Sequence, residues 1–174
     1  FYSALAEPVA FICLLTVMRE HGTASIVTAL STPMGSNLII IFLTAVPFFI
    51  LLLAENCRIP FDDPNTHLEL TMIHEVMILD NSGPGLALLE YAAALKLWIF
   101  SLILGRILLP CGPETPLLQG ATLLGLIVAV AVSIGVVESV TARVRLLKVP
   151  HLMMQASIAA LLSFLSSVTG VLTW

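Results

Sequence analysis

Residues 55–91 read ENCRIPFDDPNTHLELTMIHEVMILDNSGPGLALLEY, and this stretch divides the chain into two apolar parts. It holds most of the carboxylates and two of the four histidines, while long apolar runs lie on both sides of it. One helix needs about 20 mainly apolar residues to cross the hydrocarbon core of a membrane. The pattern therefore predicts an acidic loop that joins two membrane-spanning helices.

The composition leads to the same class of protein. The chain of 174 residues is 59% hydrophobic and only 10% charged, whereas about a quarter of the residues in a soluble domain are charged. So few polar side chains cannot cover a core in water. The formal charge of −4 is small and gives no reason to expect nucleic acid as a partner. We expect an all-α, polytopic integral membrane helix bundle.

Five apolar segments have the length of a membrane crossing. The second contains Pro47, which predicts a kink. The chain starts without an initiator Met inside the first segment, so we expect one transmembrane domain that is the C-terminal part of a longer subunit. The predicted spans are Phe1–Met18, Ser36–Ala54, Leu86–Leu109, Leu117–Val137 and His151–Trp174.

The basic residues predict the orientation, because cytoplasmic loops carry an excess of Lys and Arg. With five spans, the loops at 55–85 and 138–150 fall on the same side of the membrane. Arg19 and Arg106 fall on the opposite side. The acidic loop is therefore predicted to face the cytoplasm, on the side that holds Arg58, Arg143, Arg145 and Lys148.

A short helix is predicted inside the acidic loop, from about His67 to Leu79. The order Thr66, His67, Leu68, Glu69 fits a capping box, and apolar residues follow at helical spacing. One interpretation is an amphipathic helix at the membrane interface. The other is that its polar stripe lines a buried aqueous path. The apolar stripe is Leu68, Met72, Val76 and Leu79, and the polar stripe is His67, Thr71, His74 and Glu75.

Two charged residues lie within the third predicted span. Glu90 is in its first turns, and Lys96 follows Gly85 by about 16 Å of helix, a distance that predicts a place near the bilayer midplane. An ammonium group that faced lipid there would cost several kcal/mol, so Lys96 should have a partner on another helix. The candidates are Glu7 and an acid outside this sequence. A role in proton movement and a purely structural ion pair are the two interpretations.

Metal binding and covalent catalysis have little support in the sequence. The three cysteines stand far apart, and the segment from His74 has Ile78 where a zinc-protease motif needs its second histidine. His67 and His74 are two helical turns apart. We therefore expect no metal, no redox cofactor and no catalytic nucleophile in this chain.

Two related families resemble the acidic loop. Residues 55–62, ENCRIPFD, resemble the E-x-x-R-x-P-F-D loop of the quinone-chamber subunit of respiratory complex I. Residues 62–72 and 74–77, DDPNTHLELTM and HEVM, more closely resemble the membrane-anchor subunit of group 4 nickel–iron hydrogenases, of the formate hydrogenlyase subunit 4 and hydrogenase-4 component C type. The resemblance continues at residues 90–91, 94–98, 138–139, 142–143 and 148–150.

The resemblance implies a non-catalytic subunit of about eight spans in a prokaryotic inner membrane, of which these would be the last five. Such a subunit docks a soluble arm and couples its redox chemistry to proton or ion movement through antiporter-like membrane subunits. The coupling residues would be Glu7, Glu55, Asp62, Asp63, Glu69, His74, Glu75, Glu90, Lys96 and Glu138. Residues that shape or dock the loop would be Arg58, Pro60, Phe61, His67, Asp80, Arg143 and Arg145, with Arg58 paired to Asp62 or Asp63.

The resemblance also places the cofactors in partner subunits. Iron–sulfur clusters and a nickel–iron centre would belong to iron–sulfur proteins and to the large and small hydrogenase subunits of the soluble arm. Two other functions stay open. One is the quinone-site subunit of a complex I-like NADH dehydrogenase, although Asn65, Thr66 and His67 stand where complex I has an acid-rich pattern. The other is a passive membrane anchor, and a stand-alone transporter has weaker support because no internal repeat is visible.

Overall fold

The computed structural model describes residues 2–31, 38–56, 58, 82–109, 116–140 and 149–169, and every regular element within these ranges is an α-helix. This confirms the predicted all-α class. The predicted short helix at 67–79 lies outside the described residues. In chain order the helices are α1 (Tyr2–Glu20), α2 (Ile26–Ser31), α3 (Leu38–Glu55), α4 (Pro84–Leu108), α5 (Pro116–Val140) and α6 (Val149–Thr169).

Four described helices are long and apolar enough to cross a membrane. They match the last four predicted spans, and they confirm a polytopic helical membrane protein. The first predicted span forms α1, which packs with the others but is not among these four. The four segments are Leu38–Glu55, Pro84–Leu108, Leu117–Val140 and Pro150–Thr169.

Local sequence signals fix several helix ends. Gly83 has φ 64° and is followed by Pro84 at the first position of α4, where the missing N–H of proline costs nothing. Gly22, with φ 60°, ends α1 in the left-handed conformation. There its N–H donates to the carbonyl of Arg19 at 3.0 Å, and the N–H of Thr23 donates to the carbonyl of Met18 at 3.2 Å.

Helix α3 is the centre of the bundle. It packs against α1, α6 and α4, and α1 and α6 also pack against each other, while α5 packs on the outside of α4. The buried side chains of α3 therefore cover more than one face. They are Ile40, Ile41, Thr44, Ala45, Pro47, Phe48, Leu51, Leu52 and Leu53.

A buried hydrogen-bond cluster joins the three inner helices. The Thr44 hydroxyl donates to the carbonyl of Ile40 at 2.7 Å and lies 2.6 Å from the Ser163 hydroxyl. Because the single hydroxyl proton of Thr44 is used on Ile40, Ser163 donates to Thr44. The Cys13 thiol, buried as a filler, donates to the carbonyl of Thr44 at 3.9 Å. One residue of α3 thus contacts both α1 and α6 through polar atoms.

Helix α4 projects beyond the end of α3. Lys96 contacts Glu55, which is the last residue of α3. Residues 84–95 of α4 precede Lys96, so they extend past the end of α3. These residues measure about 18 Å along the helix axis. From Ala87 to Lys96 every side chain of α4 is exposed. About three turns of α4 therefore have little cover from the described residues.

Candidate functional site

The ammonium of Lys96 is bound by two oxygens of one residue. Its Nζ donates to the Glu55 Oε2 at 2.5 Å and to the Glu55 backbone carbonyl at 2.8 Å. This carbonyl lies in the last turn of α3, where backbone acceptors lack partners within the helix and the dipole is negative. Lys96 therefore neutralises a carboxylate and caps a helix with the same group.

The Lys96 pair differs from the sequence prediction in its partner. That partner is on another helix, as predicted, but it is Glu55, and Glu7 is an exposed residue of α1. Along its own helix Lys96 lies midway between Pro84 and Leu108, and its depth in the bilayer stays a prediction.

A second ion pair lies close to the first along the chain. Nη1 of Arg58 donates to Oε1 of Glu138 at 3.4 Å, and both side chains are partly exposed. Arg58 follows Glu55 by three residues, and Glu138 is two residues from the end of α5. The sequence prediction paired Arg58 with Asp62 or Asp63, which lie outside the described residues. In the described part of the chain its carboxylate partner is Glu138.

The two pairs bring two cations and two carboxylates from three helices to one end of the bundle. Lys96 belongs to α4, Glu55 to α3 and Glu138 to α5, and Arg58 follows α3. We call these four residues the charged end. Its formal charge is zero. The acidic loop, residues 55–85, begins with Glu55 and Arg58 and ends in the first turn of α4. Both ends of that loop are therefore attached to elements that carry these charges.

A cleft of about 270 Å³ lies between α4 and α5, with Arg58 and Glu138 at one end of it. The sequence did not identify the other residues that line the cleft. Small residues at helical spacing could have indicated it: Ala131 and Gly135 on α5, and Ala94 and Ser101 on α4. The further lining residues are Ala94, Leu97, Trp98, Ser101, Ile127, Ala131, Ile134 and Gly135.

The other predicted site residues are not brought to the charged end by the described structure. Glu90 is exposed on the projecting part of α4, and Glu7 is exposed on α1; within the described ranges neither makes an ion pair. The described ranges also contain no cluster of three metal-ligating side chains. Eleven predicted residues lie outside the described ones: Pro60, Phe61, Asp62, Asp63, His67, Glu69, His74, Glu75, Asp80, Arg143 and Arg145.

The helices and the charged end together define a membrane subunit that carries ionisable groups beside a polar loop. Comparison with known families agrees with this class. The model of a family described as NADH dehydrogenase matches residues 2–169, nearly the whole chain. Neither the curated proteins nor the solved structures give a match.

The chain belongs to the NADH dehydrogenase family. That family covers complex I-like membrane subunits, so the predicted relation to complex I is confirmed at the level of the family. The protein is an integral membrane subunit of the kind found in multisubunit respiratory complexes.

Proposed function

We propose that this protein is the coupling membrane subunit of a group 4 nickel–iron hydrogenase, of the formate hydrogenlyase subunit 4 and hydrogenase-4 component C type. It docks the soluble arm at the cytoplasmic side and couples redox chemistry there to proton or ion movement in the membrane. Support for this particular family comes from the string DDPNTHLELTM at residues 62–72. The NADH dehydrogenase family match supports the wider class.

The observation that carries the coupling role is the Lys96–Glu55 ion pair. Protonation of the Glu55 carboxylate would remove the main attraction that holds the ammonium, since the backbone carbonyl carries only a partial charge. Lys96 would then turn toward other acids. Because the two ion pairs lie at the same end of the bundle, this change would also alter the electric field at Arg58 and Glu138, although water reaches both pairs and screens it in part. Protonation at one pair would thus alter the charge distribution on three helices.

The acidic loop supplies the connection to the soluble arm in this proposal. It begins beside the Arg58–Glu138 pair and ends at the projecting part of α4, so a partner that binds the loop also acts on both helices. The iron–sulfur clusters and the nickel–iron centre belong to the soluble hydrogenase subunits and their iron–sulfur proteins. Antiporter-like membrane subunits would receive the electrostatic change, and this chain itself would carry no cofactor.

Replacement of Lys96 by Met tests the coupling. In membranes that contain the whole complex, we expect Lys96→Met to lower the rate of ion movement by about tenfold at unchanged hydrogen evolution, equivalent to a barrier higher by ~1.4 kcal/mol. The complex should still assemble. Leu95→Met is the matched control, because it places the same side chain on the adjacent exposed position without loss of charge. Hydrogen evolution and pH change in inverted vesicles are measured together.

Glu90→Gln extends this test to a residue outside the charged end. If the Glu90→Gln complex assembles normally but no longer moves ions, then Glu90, on the projecting part of α4, also takes part in the coupling. Normal turnover and ion movement in both Lys96→Met and Glu90→Gln would instead identify a passive anchor.

A second candidate function is the quinone-site subunit of a complex I-like NADH dehydrogenase. The name of the matched family and the ENCRIPFD string favour it. Metal and cofactor analysis of the purified full-length complex separates the two functions. Nickel and iron in a large complex support the hydrogenase, whereas flavin together with bound quinone supports the NADH dehydrogenase.

A further inference from the structure

The cleft between α4 and α5 has the shape of a site for one chain of an amphiphile. Along α4 it extends from Ala94 to Ser101, which are about 10 Å apart along the helix axis. Small side chains hold it open, and at Gly135 a methyl group would meet no other atom within 4 Å. Apart from Arg58, Glu138 and Ser101, its walls are mostly apolar. The hydroxyl of Ser101 is already used, because it donates to the Leu97 carbonyl at 2.8 Å.

The polar end of the cleft lies where the helices leave the bundle. Arg58 is three residues past the end of α3, and Glu138 is two residues before the end of α5. Trp98, half-exposed on α4, lines the cleft as well, and tryptophan is enriched where membranes meet water. A ligand with a polar head at the interface and an apolar tail along the helices matches this arrangement.

The charges at this end select the head group. Arg58 and Glu138 are a cation and a carboxylate 3.4 Å apart, and their contact uses one of the five N–H groups of the guanidinium. A guanidinium binds phosphate well, and a carboxylate accepts hydrogen bonds from a primary ammonium. A head group that carries both a phosphate and an ammonium can satisfy both residues, whereas an anionic head group leaves Glu138 facing a like charge.

We propose that this cleft binds a zwitterionic phospholipid with a primary amine, a phosphatidylethanolamine. Its phosphate contacts Arg58, its ammonium donates to Glu138, and one acyl chain lies along Trp98 and Ala131. Choline lipids fit less well because a quaternary ammonium has no N–H to donate. The proposal stands on the cleft and its charges, and it does not depend on which soluble arm the subunit binds.

Photo-crosslinking of the full-length protein in its membrane complex tests the proposal. The complex is placed in phosphatidylcholine nanodiscs with a small fraction of an ethanolamine lipid that carries a photoreactive group on one acyl chain. Peptides from α4 and α5 should carry the label. Ala131→Trp fills the cleft and should reduce the label about tenfold, the effect of losing about 1.4 kcal/mol of binding. Val132→Trp, on the neighbouring exposed position, is the control that keeps the label.

Competition with unlabelled lipids tests the head group in the unaltered protein, so the result does not depend on whether a variant folds. Phosphatidylethanolamine should displace the label at about one tenth of the mole fraction needed for phosphatidylglycerol, as expected if one charge-assisted hydrogen bond is lost. Extra phosphatidylcholine, which already forms the nanodisc, should displace it no better than phosphatidylglycerol. Glu138→Gln should remove the preference of the cleft for phosphatidylethanolamine over phosphatidylglycerol. Equal displacement by all three lipids, stronger displacement by a quinone, or equal labelling of Ala131→Trp and Val132→Trp would each overturn the proposal.

Discussion

Lys96 shows how one side chain can serve two structural purposes at the end of a helix. Its ammonium binds both the carboxylate and the backbone carbonyl of Glu55. The Glu55 side chain is 13% exposed and that of Lys96 is 44% exposed, so solvent screens the pair on the lysine side. The contribution to stability is therefore smaller than that of a fully buried pair.

A double-mutant cycle measures this pair. Lys96→Met should lower the free energy of unfolding by about 1 kcal/mol, a value discounted for the exposure of the lysine. In a Glu55→Gln background the same change should cost less, with a coupling energy of about 0.5–1 kcal/mol. Reversible unfolding in mixed detergent micelles gives all four values, with Leu95→Met as the uncharged control. Strict additivity of the two single changes would show that the contact contributes nothing.

At the scale of the helices, α3 and α5 are both strongly apolar but occupy different positions. Helix α3 is covered by α1, α4 and α6, whereas α5 packs on α4 and exposes a row of apolar side chains. Hydrophobic pattern cannot separate these roles, because lipid is as apolar as the interior of the bundle. This is why the sequence predicted the spans but not which helix is central. The exposed row is Leu117, Leu124, Val128, Val132, Val136 and Val140.

The central position of α3 predicts a difference between two leucine truncations. Leu52 of α3 is 0% exposed, and Leu52→Ala should lower the free energy of unfolding by about 2–5 kcal/mol because it leaves a cavity. Leu124 of α5 is 59% exposed to the surroundings of the bundle. Leu124→Ala should cost about 0.5 kcal/mol or less. Unfolding curves of both variants in the same micelles check the ranking, and equal losses would contradict the packing described for α3 and α5.

At the scale of the whole molecule, one end of the bundle carries the paired charges and the acidic loop. The last four predicted spans start within about two residues of the described helices, because length and apolarity determine a membrane crossing. The partners of Lys96 and Arg58 were not predictable in the same way. They depend on where α3, α4 and α5 end relative to one another, and a single sequence carries no direct signal for that offset. The fold brings Glu138 to Arg58 although 80 positions separate them in the chain, and the predicted pairing with Asp62 or Asp63 concerns residues outside the described ones.

Cysteine labelling tests the predicted orientation. In a background without native cysteines, Ser82→Cys lies just before α4 and Leu109→Cys just after it. Because α4 crosses the membrane once, a reagent that cannot cross the membrane should label only one of them from each side. The excess of basic residues predicts that position 82 reacts in inverted vesicles and position 109 in right-side-out cells. The reverse pattern would place the acidic loop outside the cytoplasm.

The part of α4 that projects beyond α3 has a mechanical consequence. A helix is stiff over the length of a few turns, so a sideways push at Pro84 acts on a lever arm of about 18 Å. Among the described residues, the Lys96–Glu55 pair is the polar contact between helices that lies nearest to the N-terminal end of α4. A displacement of about 3 Å at the tip tilts the rod by about 10° over this arm. Such a tilt would strain the Lys96–Glu55 contact before it strained the contacts deeper in the bundle.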